Sequence, residues 1–203
     1  MIQFRGIEFR GVERGLRPPT HVNIDMLETA KAKFVTDPAV AGKPVLELAE
    51  ITMRNLLAGG AQVDRRDFLA RAELLAACGM TVLITDYFDY YRLAAYLGER
   101  TSERIGIVMG VPSLIDLFDE RNHAGLHGWI LESFGRLFKN DLKLYVYPVQ
   151  PTPDDELKTV DNLKVRPELQ PLYDYLAGRG SSFSLTTTDP SSCRSSAVTC
   201  SAG

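Results

Sequence analysis

Two carboxylates, Asp86 and Asp89, stand in the run "TDYFDYY", directly after a short β-branched apolar stretch. A carboxylate at the end of a buried strand is placed to hold Mg²⁺ or to act as a base. The two lie three residues apart. An extended segment aims alternate residues to one side, so this spacing gives paired acid/base work little support. Both also adjoin the start of a helical pattern, where Asp commonly caps the first turn, and capping is the reading that position favours.

A second group is "MGVPS", Met109 to Ser113. Gly110 allows a ligand to approach the backbone, Ser113 offers a hydroxyl, and a helix beginning at Pro112 would turn its N–H groups toward a phosphate. The segment matches neither G-x-G-x-x-G nor G-x-x-x-x-G-K-[ST]. A tight turn followed by a capping box of Ser113 and Asp116 explains it equally simply. The third place is Tyr147-Pro148, at the end of "LKLYVY". Of the histidines, His123 and His127 have the four-residue spacing of two metal ligands on one helix face. Gly125 and Gly128 argue for a loop there and no carboxylate completes H-E-x-x-H, so exposed histidines and no metal site are expected. Tyr87, Tyr90, Tyr91 and Tyr96 have the residue type for base stacking, but no interleaved basic residues, which predicts an aromatic cluster against a sheet.

The elements that must position these residues are read from hydrophobic period. "VDRRDFLARAELLAACGM" is a helix that Asp64 can cap and Gly79 can end in a left-handed conformation. "MTVLITDY" and "RIGIVMGV" are apolar enough to be strands covered on both faces. "DYYRLAAYLGER" and "PSLIDLFDE" are helices between them. "WILESFGRLFKNDLKLYVYPV" supplies a further helix, a turn at Asn140-Asp141 and a third strand. Helix and strand thus alternate three times between Asp64 and Val149. The expected fold class is α/β: a mainly parallel sheet with helices on both faces, Rossmann-like and three-layer.

Residues 1–63 are expected as an N-terminal extension with strand and helices. In it, "IQFRGIEF" would be an edge strand, broken off by Arg17-Pro18-Pro19. "NIDMLETAKAKFV" would be a helix capped by Asn23, and "GKPVLELAEITMRNLLAGG" a second helix stopped by Gly59-Gly60. Residues 64–150 form the α/β core, 151–180 a loop and short helix, and the Ser/Thr-rich stretch 181–203 a disordered tail.

The formal net charge of -3 argues against a general nucleic-acid surface, which needs a basic excess. No apolar run approaches the roughly 18 residues of a membrane span, and the start lacks the apolar core of a secretory signal. Cys78 reads as a reduced core thiol; Cys193 and Cys200 have no partners at metal-ligand spacing. A cytoplasmic protein without nucleic-acid or membrane partners is expected, with a small-molecule nucleotide as ligand and a homo-oligomer open.

The runs "FLARAELLAACGMTVLITDYFDYYRLAAYLGERT", "IGIVMGVPSLIDLFDE" and "ILESFGRLFKNDLKLYVYP" together resemble a family of longer bacterial proteins. Its members are labelled automatically as nicotinate-nucleotide (or nicotinamide-nucleotide) adenylyltransferases, and elsewhere as TonB-dependent receptors. The resemblance runs from about Pro19 to Gly180. A receptor of the second kind needs many amphipathic strands, which this sequence lacks. The first label implies an α/β nucleotide-binding fold, a nucleotidyltransferase activity, and ATP with Mg²⁺ as cofactors. The H-x-G-H motif of such enzymes is absent, since "PTHVN" carries one His with no following Gly-His. "ERNHAGLHGW" also departs from the family: relatives have an acidic, Tyr-rich segment ending in two glycines, so Trp129 replaces a glycine. A truncated or frame-shifted copy is expected from the way both ends depart.

On this basis Asp86 and Asp89 are the candidate catalytic residues, and Gly110, Pro112, Ser113 and Tyr147 the candidate cofactor-binding ones. A noncatalytic α/β fragment or interaction domain of a longer protein is the alternative. A phosphohydrolase built on Asp86 would need a second metal-holding carboxylate that the sequence does not locate.

Overall fold

The computed structural model describes residues 2–6, 21–52, 65–152, 154–178 and 185–187. The strands are β1 (Ile2–Gly6), β2 (Val45–Thr52), β3 (Thr81–Thr85), β4 (Ile105–Gly110), β5 (Leu142–Tyr147) and β6 (Leu185–Thr187). The helices are α1 (His21–Val35), α2 (Arg65–Ala77), α3 (Tyr90–Gly98), α4 (Val111–Leu117), α5 (Trp129–Leu137) and α6 (Gln170–Gly178). The six strands form one sheet in the order β3-β2-β1-β4-β5-β6, and every pairing is parallel. The protein is therefore of the α/β class.

The sheet's own side chains explain where the helices pack. Residues 105–109 of β4 are all buried, which requires cover on both faces. Ile105, Ile107 and Met109, with Leu142, Leu144 and Val146 of β5, join Leu93, Leu114, Phe134, Leu137 and Tyr173 in one core. That core takes in α3, α4, α5 and α6. The alternate residues Val108, Tyr145 and Tyr147 meet Met26, Leu27, Ala30 and Phe34 of α1. There Phe34 and Tyr145 stack edge to face at 5.9 Å. Each large apolar side chain buried in this way contributes about 1.5–3 kcal/mol. The two segments are helical as expected: Leu27, Ala30 and Phe34 are buried on α1, with Ile24 half-buried, and Ile130, Phe134 and Leu137 are buried on α5.

Several expectations need correction. The segment 42–60 was expected to be a helix, but Val45–Thr52 is strand β2. Leu, Ala and Glu give it helical propensity, yet it pairs with β1 on one side and β3 on the other, and context outweighs propensity. "IQFRG" is an inner strand and not an edge, so residues 1–63 supply two inner strands and 63/64 divides nothing in the sheet. Within 181–203, expected to be disordered, Leu185–Thr187 pairs with β5. The proposed features at Arg17-Pro18-Pro19, Gly59-Gly60, Asp64, Cys193 and Cys200 lie outside the described residues. Among those residues no helix is long and apolar enough to cross a membrane.

The edge of the sheet where the strands begin carries a charge network. Asp37 Oδ2 accepts from Arg104 Nη1 at 2.5 Å and from Lys143 Nζ at 2.6 Å, while its Oδ1 accepts from the Ala39 amide at 2.9 Å. Arg104 also donates to Asp141 through Nε at 3.0 Å and Nη2 at 2.7 Å. Burial works to raise the Asp37 pKa, but the bonds from Lys143, Ala39 and Arg104 outweigh it and hold it at about 2. Gly79 (φ 79°) ends α2 as expected, and in the expected turn at Asn140-Asp141 the left-handed residue is Asp141 (φ 45°).

Candidate functional site

All six strands run the same way, so their carboxyl ends share one rim. Asp86 follows β3, Gly110 ends β4 and Tyr147 ends β5. Gly110 lies beside Tyr147 in register, so "GVPS" and Tyr147 are brought together. β3 is separated from β4 by β2 and β1, three strand spacings or about 14 Å. Asp86 and Asp89 therefore share the rim with the other candidates but stand away from them. The strand order turns between β1 and β4, and a rim site in an open parallel sheet lies at such a turn.

Asp86 is exposed. Asp89 holds the N-cap position of α3 with φ -88° and ψ 130°, yet its side chain makes no capping bond. It pairs instead with Arg92 Nε at 3.1 Å. The capping expected of this carboxylate is thus replaced by an ion pair one turn along.

Helix α4 starts at Val111, with Gly110 as N-cap and no side-chain cap, so the expected Ser113–Asp116 box does not form. Pro112, in the first turn, lacks an N–H and removes one donor an anion would use. The Tyr147 phenol is buried and donates to Asp25 Oδ2, itself buried on α1. Asp25 was missed because it sits among the apolar residues of its helix. The other missed carboxylate is Glu50. It is only 1% exposed, near the end of β2, and accepts from Thr85 Oγ1 at the end of β3. Reading β2 as a helix hid it.

On the outer side of α3 and α5 lies a groove of about 650 Å³, lined by Tyr87, Tyr91, Tyr96, Arg92, Arg136 and Lys139 among others. Arg92 already follows Tyr91 directly in the sequence, and the fold adds Arg136 from α5's last turn and Lys139 from just beyond it, which corrects the expectation of an aromatic cluster without basic residues. Tyr87 and Tyr96 pack with centroids 5.4 Å apart, and the guanidinium carbons of Arg92 and Arg136 lie 5.8 and 5.7 Å from the Tyr91 ring centre.

His123 is buried, not exposed, while His127 is exposed as expected. Its Nε2 donates to the Leu117 carbonyl at 2.8 Å, because a carbonyl oxygen only accepts. Its Nδ1 has no hydrogen-bond partner among the described residues. The adjoining cavity, about 20 Å³ between Asp89, Asp116, Asn122 and Ser133, has the size of one water. Among the described residues no group of three or more His, Cys, Asp or Glu side chains is placed to hold a metal ion.

The class these observations define is an α/β protein with a parallel sheet and a rim at its carboxyl edge. No protein-family model, curated protein or solved structure matches the chain.

Proposed function

We propose that the protein binds a nucleotide at the carboxyl rim of its sheet and that its reaction class is nucleotidyl transfer. The strand order carries the binding half of this reading. β3-β2-β1-β4-β5-β6 is the order of the Rossmann-like, three-layer arrangement, in which a nucleotide lies across the turn in strand order. In that arrangement a carboxylate near the end of the second strand receives a ribose hydroxyl, and on this reading Glu50 of β2 would take that role on exchanging Thr85 for the ribose. The phosphates would lie against Gly110, Pro112 and Ser113. Farther along the rim, Asp86 is the exposed carboxylate that would take Mg²⁺, and Asp89 would join it on releasing Arg92. The reaction class rests on the resemblance to proteins labelled nicotinate-nucleotide adenylyltransferase. A noncatalytic interaction domain is the second reading, favoured by the neighbouring exposed apolar residues Trp129 and Leu131 at the start of α5.

A thermal melt with ATP, NMN, nicotinate mononucleotide and NAD, each with and without Mg²⁺, tests both. A ligand at 100 times its dissociation constant adds about 2.7 kcal/mol. For a chain of this length that raises the midpoint by about 5–10 °C. Gly110→Ala should abolish the shift without disturbing the fold, because the added Cβ would meet only Pro112 Cδ at 3.4 Å. Melts that ignore every nucleotide refute the proposal and leave the interaction domain.

A further inference from the structure

We infer that the groove between α3 and α5 is a separate binding site for a phosphomonoester carried on an aromatic or other planar body. It does not depend on the rim reading, since Gly110, Ser113 and Glu50 take no part in its lining.

The charge in the groove is available. Lys139 is exposed, and makes no hydrogen bond or ion pair within the described residues. Arg92 commits its Nε to the Tyr91 hydroxyl at 3.1 Å and to Asp89, which leaves both terminal nitrogens uncommitted. Arg136 commits Nη2 to Glu132 at 2.6 Å. A guanidinium carries five N–H donors, so each arginine retains a free edge beyond its acid partner. The lining holds three cations, Arg92, Arg136 and Lys139, against one carboxylate, Glu99. Asp89 and Glu132 pair with the two arginines from outside the lining, so Lys139 is the lining cation without an acid partner among the described residues. Arginine forks match phosphate oxygens in pairs, which a single-point anion does not exploit.

The shape supplies the other half. Ala95 and Gly98 line the groove with almost no side chain, and their smallness keeps it open along α3. Tyr87, Tyr96 and Leu126 are half-buried, offering apolar surface to a flat body while the arginines hold its phosphate. A groove of about 650 Å³ is the size of small-molecule sites generally.

Calorimetric titration of the full chain with phenyl phosphate, inorganic phosphate and phenol tests the inference. Phenyl phosphate should bind more tightly than either half and weaken as salt is raised. Lys139→Ala with Arg136→Gln should weaken it at least about tenfold, the equivalent of one lost charge-assisted hydrogen bond. Ala95→Phe should block it by filling the groove. Ala95, Arg136 and Lys139 are exposed, so these variants keep the fold. Loss of phenyl phosphate binding in Gly110→Ala, with the groove variants binding as before, would place the ligand at the rim and overturn the inference. Absence of binding overturns the inference. So does an affinity no better than that of inorganic phosphate, or one indifferent to the groove variants.

Discussion

Replacing Asp37 by Asn tests how far the fold depends on charge at the edge where the strands begin. The carboxylate serves two cations on separate elements, Arg104 ahead of β4 and Lys143 within β5. The side chains of Asp37, Arg104 and Lys143 are only 7%, 10% and 14% exposed, so water cannot replace the lost partner cheaply. The folded-state pKa of about 2 against the usual 3.8 measures the same preference for the charged form. At about 1.36 kcal/mol per pKa unit, it corresponds to about 2 kcal/mol at neutral pH. Asn keeps the shape and loses the charge, so urea unfolding at pH 7 should show a loss of about 2 kcal/mol. The thermal midpoint should fall by about 4–8 °C.

The pH dependence has a definite sign. Because folding lowers this pKa, the unfolded chain binds the extra proton first. The stabilisation is present above about pH 4 and is lost as pH falls through about 2. In the Asn variant that portion of the acid limb should flatten. Equal urea midpoints at pH 7, together with parallel acid limbs, would refute the reasoning.

Trp129 adopts φ 49° and is half-exposed, a conformation that costs an L-residue roughly 1–2 kcal/mol and costs glycine little. Trp129→Gly should therefore stabilise the protein by about 1 kcal/mol in urea; a loss of stability would show that the indole holds the start of α5. The buried Tyr173 hydroxyl donates to the Val160 carbonyl at 2.6 Å, and burial pushes its pKa up to about 12. Folding thus favours the neutral phenol. Its contribution is complete below pH 10 and disappears as pH rises through about 12. Tyr173→Phe should cost about 1 kcal/mol at pH 7 and remove that alkaline loss, measured by urea unfolding between pH 8 and 12.

The sheet's second half was legible because β4 and β5 are nearly continuous apolar runs whose neighbours have helical period. The first half was obscured by "VLELAEIT", where Leu, Glu and Ala carry helical propensity and only the flanking strands decide the outcome. That misreading also hid Glu50. The rim residues were legible one at a time, as strand ends. Which of them meet depends on strand order, and nothing local in "TDYFDYY" tells that β3 lies three places from β4. His123 was misjudged because glycines around it signalled a loop, whereas its burial comes from Phe134 and the rest of the core beneath. Arg136 and Lys139 approach Tyr91 only through packing of α3 on α5, which no spacing along the chain encodes.

Strand β1 joins what would otherwise be two sheets. It matches β2 at five positions but β4 at only two, Phe4 beside Gly106 and Arg5 beside Ile107. This seam spans roughly a hundred residues of chain, so its closure carries a large entropic cost and is expected late in folding. While that seam is open, β1 and β4 would each present a bare strand edge to pairing with another chain. The seam that closes last is also the one where strand order turns. A ligand spanning that junction would act as a clasp across the two halves, coupling occupancy of the rim to the unity of the sheet.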